Sequence, residues 1–153
     1  MYLETSIISY LAARPSRDIV TAARQELTRQ WWARRRASFE VYVSEAVIAE
    51  ARAGNREASA RRSAILADLP LLDITPEVRK LAQAVAVALQ LPRRAAADAV
   101  HIAAAACHGI DFLLTWNSTH IANAELRLIV ERVCRDGGYS PPILCTPDEL
   151  MGG

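Results

Sequence analysis

The stretch "DAVHIAAAACHGIDFLLTWNSTHIAN", residues 98–123, decides the fold of this chain. It begins with an acid, continues as an alanine-rich segment that ends at Gly109, passes through the apolar run "DFLLTW" at 111–116, and finishes in a polar cluster. An alanine-rich run closed by glycine is typical of a helix and its C-terminal end. A short apolar run is typical of a buried strand. The stretch therefore predicts a helix over 95–108 that leads into a strand over 111–116.

Outward from this stretch, short strands alternate with helical segments along the chain. The further predicted strands are 1–3, 39–44, 71–74 and 142–146, and the further predicted helices are 6–13, 16–36, 44–54, 55–69, 75–91 and 122–136. Strands separated by helices, one of them apolar on both faces, indicate a mainly parallel sheet covered on both sides. We predict an α/β fold, a three-layer α/β/α sandwich with a sheet of four to five strands, as a single domain over 1–153.

Composition bounds the class of protein. Of the 153 residues, 52% are hydrophobic and 23% are charged, and the net charge is +1, which suits a globular protein without general attraction to nucleic acid. The three cysteines are scattered and form no C-x-x-C pair, which argues against a zinc knuckle or a disulfide framework. No targeting pattern or membrane-spanning run is present, so we expect a soluble cytoplasmic protein. Because the first strand is short, we expect the full protein to begin upstream of Met1.

Several polar residues fall where strands end or where the next helix begins. Glu4 follows the first strand and Asn117 follows the fourth, while Glu50 lies one and a half turns into the helix after the second strand, and Asp98 lies in the first turn of its helix. Ligands of open parallel sheets gather at the carboxyl ends of the strands. Carboxylates that meet in a crevice repel one another unless a cation neutralises them. Mg²⁺ or Mn²⁺ prefers such oxygen ligands and activates water for phosphodiester hydrolysis.

Three blocks of the sequence resemble those of PIN-domain ribonucleases, in the same order and at similar separation. They are "YLETSIISYL" at 2–11, "VSEAVIAEARAG" at 43–54, and the stretch 98–123. The nearest likeness is to the VapC-type toxins of VapBC toxin–antitoxin pairs. The resemblance implies a PIN-like sandwich, an endoribonuclease that depends on Mg²⁺ or Mn²⁺, an RNA substrate, a cognate antitoxin partner and a homodimer.

By position, the resemblance makes Glu4, Glu50 and Asp98 the metal ligands and adds Asn117 to the catalytic residues. Glu4 stands where aspartate is commoner in the family, which lengthens the reach by one methylene group. Asn117 stands where many members have a fourth acid. An amide can ligate a metal through its carbonyl oxygen or orient a water, but it weakens a second metal site, so the expectation is one ion.

Each of these acids has a simpler explanation. Asp98 in a first helical turn favours the helix dipole, and Glu4 can cap the helix that follows it. Glu45, five residues before Glu50 in the same helix, is an alternative to it, although the apolar neighbours of Glu50 favour an inward direction. Because Asn117 is neutral, the whole chain can also be interpreted as a catalytically weak PIN-fold module that binds RNA or a partner.

Other residues are candidates for supporting roles. Thr5, Ser6 and Thr115 can hydrogen-bond a ligating carboxylate or bind substrate, with helix capping as the alternative for the first two. His101, three residues after Asp98, is expected beside the ligands rather than among them. Arg93 and Arg94 precede the helix of Asp98 and can steer an RNA backbone, with a solvated helix face as the alternative. Trp116 can stack on an RNA base, and Trp31 with Trp32 can form an interface with a partner. For all three tryptophans, packing in the core is the alternative.

Overall fold

Five short parallel strands form the centre of the fold in the computed structural model of the protein, which describes residues 1–152. They are β1 (Tyr2–Leu3), β2 (Val43–Ser44), β3 (Leu71–Leu72), β4 (Phe112–Leu114) and β5 (Ile143–Cys145). Strands β1, β4 and β5 form one part of the sheet in the order β1-β4-β5, and β2 pairs with β3. A parallel bridge between Tyr2 and Tyr42 joins the two parts. The predicted parallel sheet is therefore confirmed, in the order β3-β2-β1-β4-β5.

Seven α-helices of the described residues connect and flank these strands. They are α1 (Thr5–Ala12), α2 (Ile19–Arg34), α3 (Glu45–Arg52), α4 (Arg56–Leu66), α5 (Pro76–Ala88), α6 (Ala96–Cys107) and α7 (Ala124–Asp136). Polar caps set several starts: the side chains of Asn55, Thr75 and Asn123 accept hydrogen bonds from the first turns of α4, α5 and α7. Through residue 152, none of the helices has the length and apolar character that crossing a membrane requires.

Each predicted strand and helix corresponds to an observed one, but the boundaries differ, in two cases for reasons that the structure shows. The helix expected from residue 16 begins at Ile19, because the Asp18 carboxylate accepts a hydrogen bond from Thr21 N at 2.8 Å and caps it. The strand expected over 39–44 is reduced to Val43–Ser44, because residues 36–38 form a 3₁₀ turn and β3 pairs with only two residues of β2. The predicted helix over 95–108 is α6, shorter by one residue at each end.

The core contains residues of the strands and of several helices, and α6 contributes the most of them. Ile102 and the neighbouring alanines Ala103, Ala104 and Ala105 are fully buried, and their small side chains let the helix pack closely against its neighbours. Trp31 is also fully buried and stacks on Phe39 with 6.1 Å between ring centroids, so it packs in the core rather than offering an interface.

The parallel arrangement brings the carboxyl ends of the strands to one edge. Glu4 N donates to Leu114 O at 3.0 Å, which places the residue after β1 beside the end of β4. Only Glu4 separates α1 from β1, and α3 follows β2 directly, so the first turns of both helices start at this same edge. The sheet thereby gathers residues that are far apart in sequence.

Candidate metal centre

Glu4 is the most buried acid of the centre, with 6% of its surface exposed. It directly follows β1 and caps α1. One of its carboxylate oxygens, Oε2, accepts hydrogen bonds from Ser6 N at 3.1 Å, from Ser6 Oγ and from Thr115 Oγ1 at 2.7 Å. The capping role considered from the sequence is thus observed, and it uses one oxygen only. Within residues 1–152, the other oxygen, Oε1, accepts no hydrogen bond from the protein.

Glu50 reaches the same place from α3. Its Oε2 accepts hydrogen bonds from Thr5 Oγ1 and, at 3.0 Å, from His101 Nε2. Burial by itself would raise the pKa of Glu50, but the hydrogen bonds from His101 and Thr5 and the charge of His101 outweigh it, so that the pKa lies below its ordinary value. The alternative acid, Glu45, is exposed in the first turn of α3. The structure therefore brings Glu50, not Glu45, to Glu4.

His101 is fully buried and lies within the cluster. Its Nε2 faces Glu50, and its Nδ1 lies 2.7 Å from the hydroxyl of Tyr2. Burial alone would lower the pKa of His101, but the hydrogen bond to Glu50 and the charges of the surrounding acids raise it above its ordinary value. One donor atom each from Glu4, Glu50 and His101 lies within 4.8 Å of the others, a group that can hold a metal ion.

Asp98 lies in the first turn of α6, as expected, and is paired with a histidine from the loop after β4. Its Oδ2 accepts a hydrogen bond from His120 Nδ1 at 2.7 Å. It does not belong to the group of three whose donor atoms lie within 4.8 Å, although its charge contributes to the raised pKa of His101. Glu4 and Glu50 therefore belong both to the ligand set predicted from the sequence and to the group found in the structure. The third member differs: it is Asp98 in the predicted set and His101 in the structural group.

Asn117 holds the loop that carries His120. Its Oδ1 accepts a hydrogen bond from His120 N at 3.1 Å, and its own N donates to Thr115 Oγ1 at 2.9 Å. Thr115 in turn donates to Glu4, so Asn117, three residues beyond β4, is connected to the residue after β1 through one hydroxyl group. The amide oxygen that the sequence suggested as a metal ligand is therefore engaged by the loop backbone.

The remaining candidates divide between the centre and its surroundings. Arg93 and Arg94 are exposed in a 3₁₀ turn directly before α6. Trp116 is buried, and its Nε1 donates to Thr28 Oγ1 at 2.7 Å, which agrees with the core interpretation. Two residues that the sequence did not assign to the centre also belong to it: Tyr2, in the first predicted strand, bonds His101, and Ser44, where the third predicted helix begins, bonds Tyr2.

All three acids share one pattern. The protein's donors bind Oε2 of Glu4, Oε2 of Glu50 and Oδ2 of Asp98. Throughout the described part of the chain, no protein group donates to the second oxygen of any of them. A carboxylate fixed by one oxygen, with the other left free, is suited to bind a hard divalent cation. Glu4 and Glu50, which belong to the group of three, therefore fit such an ion, and Asp98 shows the same pattern outside that group.

The opposite pKa shifts of Glu50 and His101 predict how the stability of the metal-free protein depends on pH. The lowered pKa of Glu50 contributes stability that is present above its ordinary value of 4.5 and is lost as the pH falls through the folded-state pKa. The raised pKa of His101 contributes stability that is present below 6.5 and is lost as the pH rises through the folded-state pKa. The pair is therefore expected to stabilise the fold most between pH 4.5 and 6.5.

Urea unfolding of the metal-free protein across this range measures the effect. The control is the variant His101→Gln, in which the decline on the alkaline side should become flatter because glutamine does not titrate. If the free energy of unfolding fell equally in both proteins above pH 6.5, the loss of stability at alkaline pH could not be assigned to His101.

Comparisons with known proteins agree with this architecture. A family model described as the PIN domain matches residues 1–126. No curated protein matches the chain in sequence. Among solved structures, the chain is similar to VapC20 of Mycobacterium tuberculosis, described as a toxin that cleaves the sarcin-ricin loop. The TM-score is 0.61 at 18% identity, and the match covers 78% of this chain and 91% of the other. At that identity, the likeness supports the fold.

Proposed function

The chain belongs to the PIN domain family, and from this premise we propose that it is a metal-dependent endoribonuclease that acts as the toxin of a toxin–antitoxin pair. The observation that carries the proposal is the set of three carboxylates, from Glu4, Glu50 and Asp98, each fixed through one oxygen and each with the other oxygen free. Such a set has more negative charge than the protein neutralises by itself. A divalent cation meets that need and can also bind a phosphate group of the substrate.

We assign the free oxygens of Glu4, Glu50 and Asp98 to the metal, with Mg²⁺ or Mn²⁺ as the ion. When bound, the ion supplies a water of lowered pKa and neutralises charge on the scissile phosphate. Ser6 and Thr115 hold Glu4 in place, and Thr5 holds Glu50. Asn117 keeps Nδ2 without a protein acceptor in the described chain, so this amide is the group that we assign to orient a water.

The RNA backbone is assigned to the arginines before α6. Arg93 and Arg94 are exposed one turn from Asp98, and guanidinium groups bind phosphates with paired hydrogen bonds. Replacing both with alanine should weaken RNA binding and reduce its dependence on salt concentration, as measured by fluorescence anisotropy. The matched control replaces Arg132 and Arg135, which are exposed in the last turns of α7, at the opposite end of that helix from the loop that carries His120. Equal effects of the two double variants would exclude a specific role for Arg93 and Arg94.

The toxin assignment rests on the similarity in fold to a VapC toxin, and it includes an antitoxin partner and a homodimer. Light scattering of the purified protein tests the homodimer. A mass of twice 16.8 kDa is expected, and a monomer at all concentrations would contradict the dimer. Expression alone should arrest growth, and co-expression of a cognate antitoxin, to be sought in the neighbouring open reading frame, should restore it. Growth that is unaffected by expression of an active nuclease would contradict the toxin role.

Cleavage of an end-labelled single-stranded RNA tests the function itself. We expect internal cuts with Mg²⁺ or Mn²⁺ and none after chelation with EDTA, because the carboxylates need the ion to bind and polarise the phosphate. The rival function is a weak or inactive module that binds RNA, and neutral Asn117 favours it. Binding of RNA without cleavage in either metal would support that rival, and cleavage that persists in EDTA would contradict the metal-dependent mechanism.

A further inference from the structure

A chain of buried polar groups runs from the sheet to Glu50. The Ser44 hydroxyl lies 2.7 Å from the Tyr2 hydroxyl, which lies 2.7 Å from His101 Nδ1, while His101 Nε2 lies 3.0 Å from Glu50 Oε2. Ser44, Tyr2 and His101 are each fully buried. They come from β2, β1 and α6, so three elements of the fold converge on one carboxylate. We call Ser44, Tyr2 and His101 the hydroxyl–imidazole relay.

When His101 is neutral, the direction of these hydrogen bonds follows from the chemistry of the groups. An ionised carboxylate only accepts, so His101 Nε2 must donate to Glu50. In the neutral imidazole, Nδ1 then accepts from the Tyr2 hydroxyl, and the tyrosine oxygen accepts from Ser44. Every donor in the relay then points toward Glu50. Hydrogen bonds arranged head to tail strengthen one another in a buried setting.

Packing alone gives no reason for these groups. Burial costs a hydroxyl or an imidazole free energy unless it is hydrogen-bonded, and apolar side chains would fill the same space without that cost. Their neighbours in the sequence, Leu3, Val43 and Ile102, are fully buried and apolar. The relay ends on the one oxygen of Glu50 that is already engaged by Thr5, which leaves the other oxygen free.

We propose that Tyr2 and Ser44, acting through His101, are positioning residues that fix the Glu50 carboxylate for metal binding. This inference rests on the proposed metal-dependent function and extends it to residues that contact neither RNA nor reacting atoms. Loss of groups that orient a metal ligand typically costs about 10- to 100-fold in metal affinity or activity. A position one step further from the ligand is expected near the lower end of that range.

Calorimetric titration of the folded protein with Mn²⁺ tests the relay. Tyr2→Phe removes only the hydroxyl and is expected to weaken Mn²⁺ binding by about tenfold. Its kcat for RNA should fall while KM is unchanged, since the relay does not touch RNA. The matched control is Tyr42→Phe, which removes a hydroxyl from the neighbouring segment, where it bonds the exposed Glu40 at 3.3 Å. This control should bind Mn²⁺ like the wild type.

A second pair of variants decides the matter if Tyr2→Phe does not fold. His101→Gln keeps an N–H donor for Glu50, whereas His101→Leu keeps none, so the glutamine variant should bind Mn²⁺ more tightly. Wild-type affinity in folded Tyr2→Phe, or equal affinity in the two His101 variants, would overturn the relay while leaving the metal centre intact. Failure of the wild type itself to bind Mn²⁺ would overturn the proposed function, and the relay with it.

Discussion

Glu4→Gln is expected to lower RNA cleavage by about a thousandfold, because a bound metal supplies several kcal/mol of transition-state stabilisation and each 1.4 kcal/mol is a factor of ten. The structure makes this substitution unusually damaging. Oε2 of Glu4 accepts from three donors, on Ser6 and Thr115. A glutamine must turn its carbonyl oxygen toward them, which leaves its NH₂ group at the position of the free oxygen. An amide nitrogen there donates hydrogen bonds and does not ligate a divalent cation.

Single-turnover cleavage of RNA at saturating Mg²⁺ measures this loss. The control is Glu45→Gln, which removes the same charge from an exposed position in the first turn of α3. We expect the control to cleave at the wild-type rate and the Glu4→Gln variant to keep its affinity for RNA. A rate within a few fold of the wild type for Glu4→Gln would contradict the role of Glu4 as a metal ligand.

Asp98→Asn is expected to be less damaging, with a loss on the order of a hundredfold, at the upper end of what a weakened metal site typically costs. Oδ2 of Asp98 faces a single group, His120 Nδ1, at 2.7 Å. A histidine ring nitrogen can donate or accept according to its tautomer. The asparagine can therefore donate its NH₂ group to Nδ1 and leave its carbonyl oxygen toward the metal, so that a weak neutral ligand remains.

The same cleavage assay over a range of Mn²⁺ concentrations separates the two variants. Asp98→Asn should recover part of its activity at high Mn²⁺, because its remaining oxygen still ligates, whereas Glu4→Gln should not. If both variants recovered cleavage activity to the same extent, the hydrogen-bond partners of the two carboxylates would not determine how each substitution affects metal binding.

The sequence was sufficient to place the acids at one edge of a parallel sheet. Glu4 directly follows β1, and Asn117 lies three residues beyond β4, so the rule for parallel strands predicts that they lie at the same edge. Glu50 required a choice between two acids in one helix, and its apolar neighbours indicated the correct face. These inferences worked because they depend on strand order and helical period, which local sequence determines.

The partners of the acids could not be predicted, since they depend on contacts between distant segments. Nothing in the local sequence distinguishes the hydroxyl of Tyr2 from that of Tyr42. The Tyr2 hydroxyl is nevertheless buried and hydrogen-bonded to His101, whereas the Tyr42 hydroxyl bonds the exposed Glu40. The pairing of Asp98 with His120 depends on the turn after β4, where Ile121 N and Ala122 N both donate to Asn117 O. The length of β2 likewise depended on how many residues β3 offers for pairing.

The most direct test of the metal centre is the position of anomalous scattering in crystals grown with Mn²⁺. We predict one strong peak between Glu4, Glu50 and Asp98, with metal–oxygen distances of about 2.1 Å to the carboxylate oxygens that the protein leaves free. A peak bound elsewhere, or a well-diffracting crystal with no peak near these three carboxylates at millimolar Mn²⁺, would contradict it.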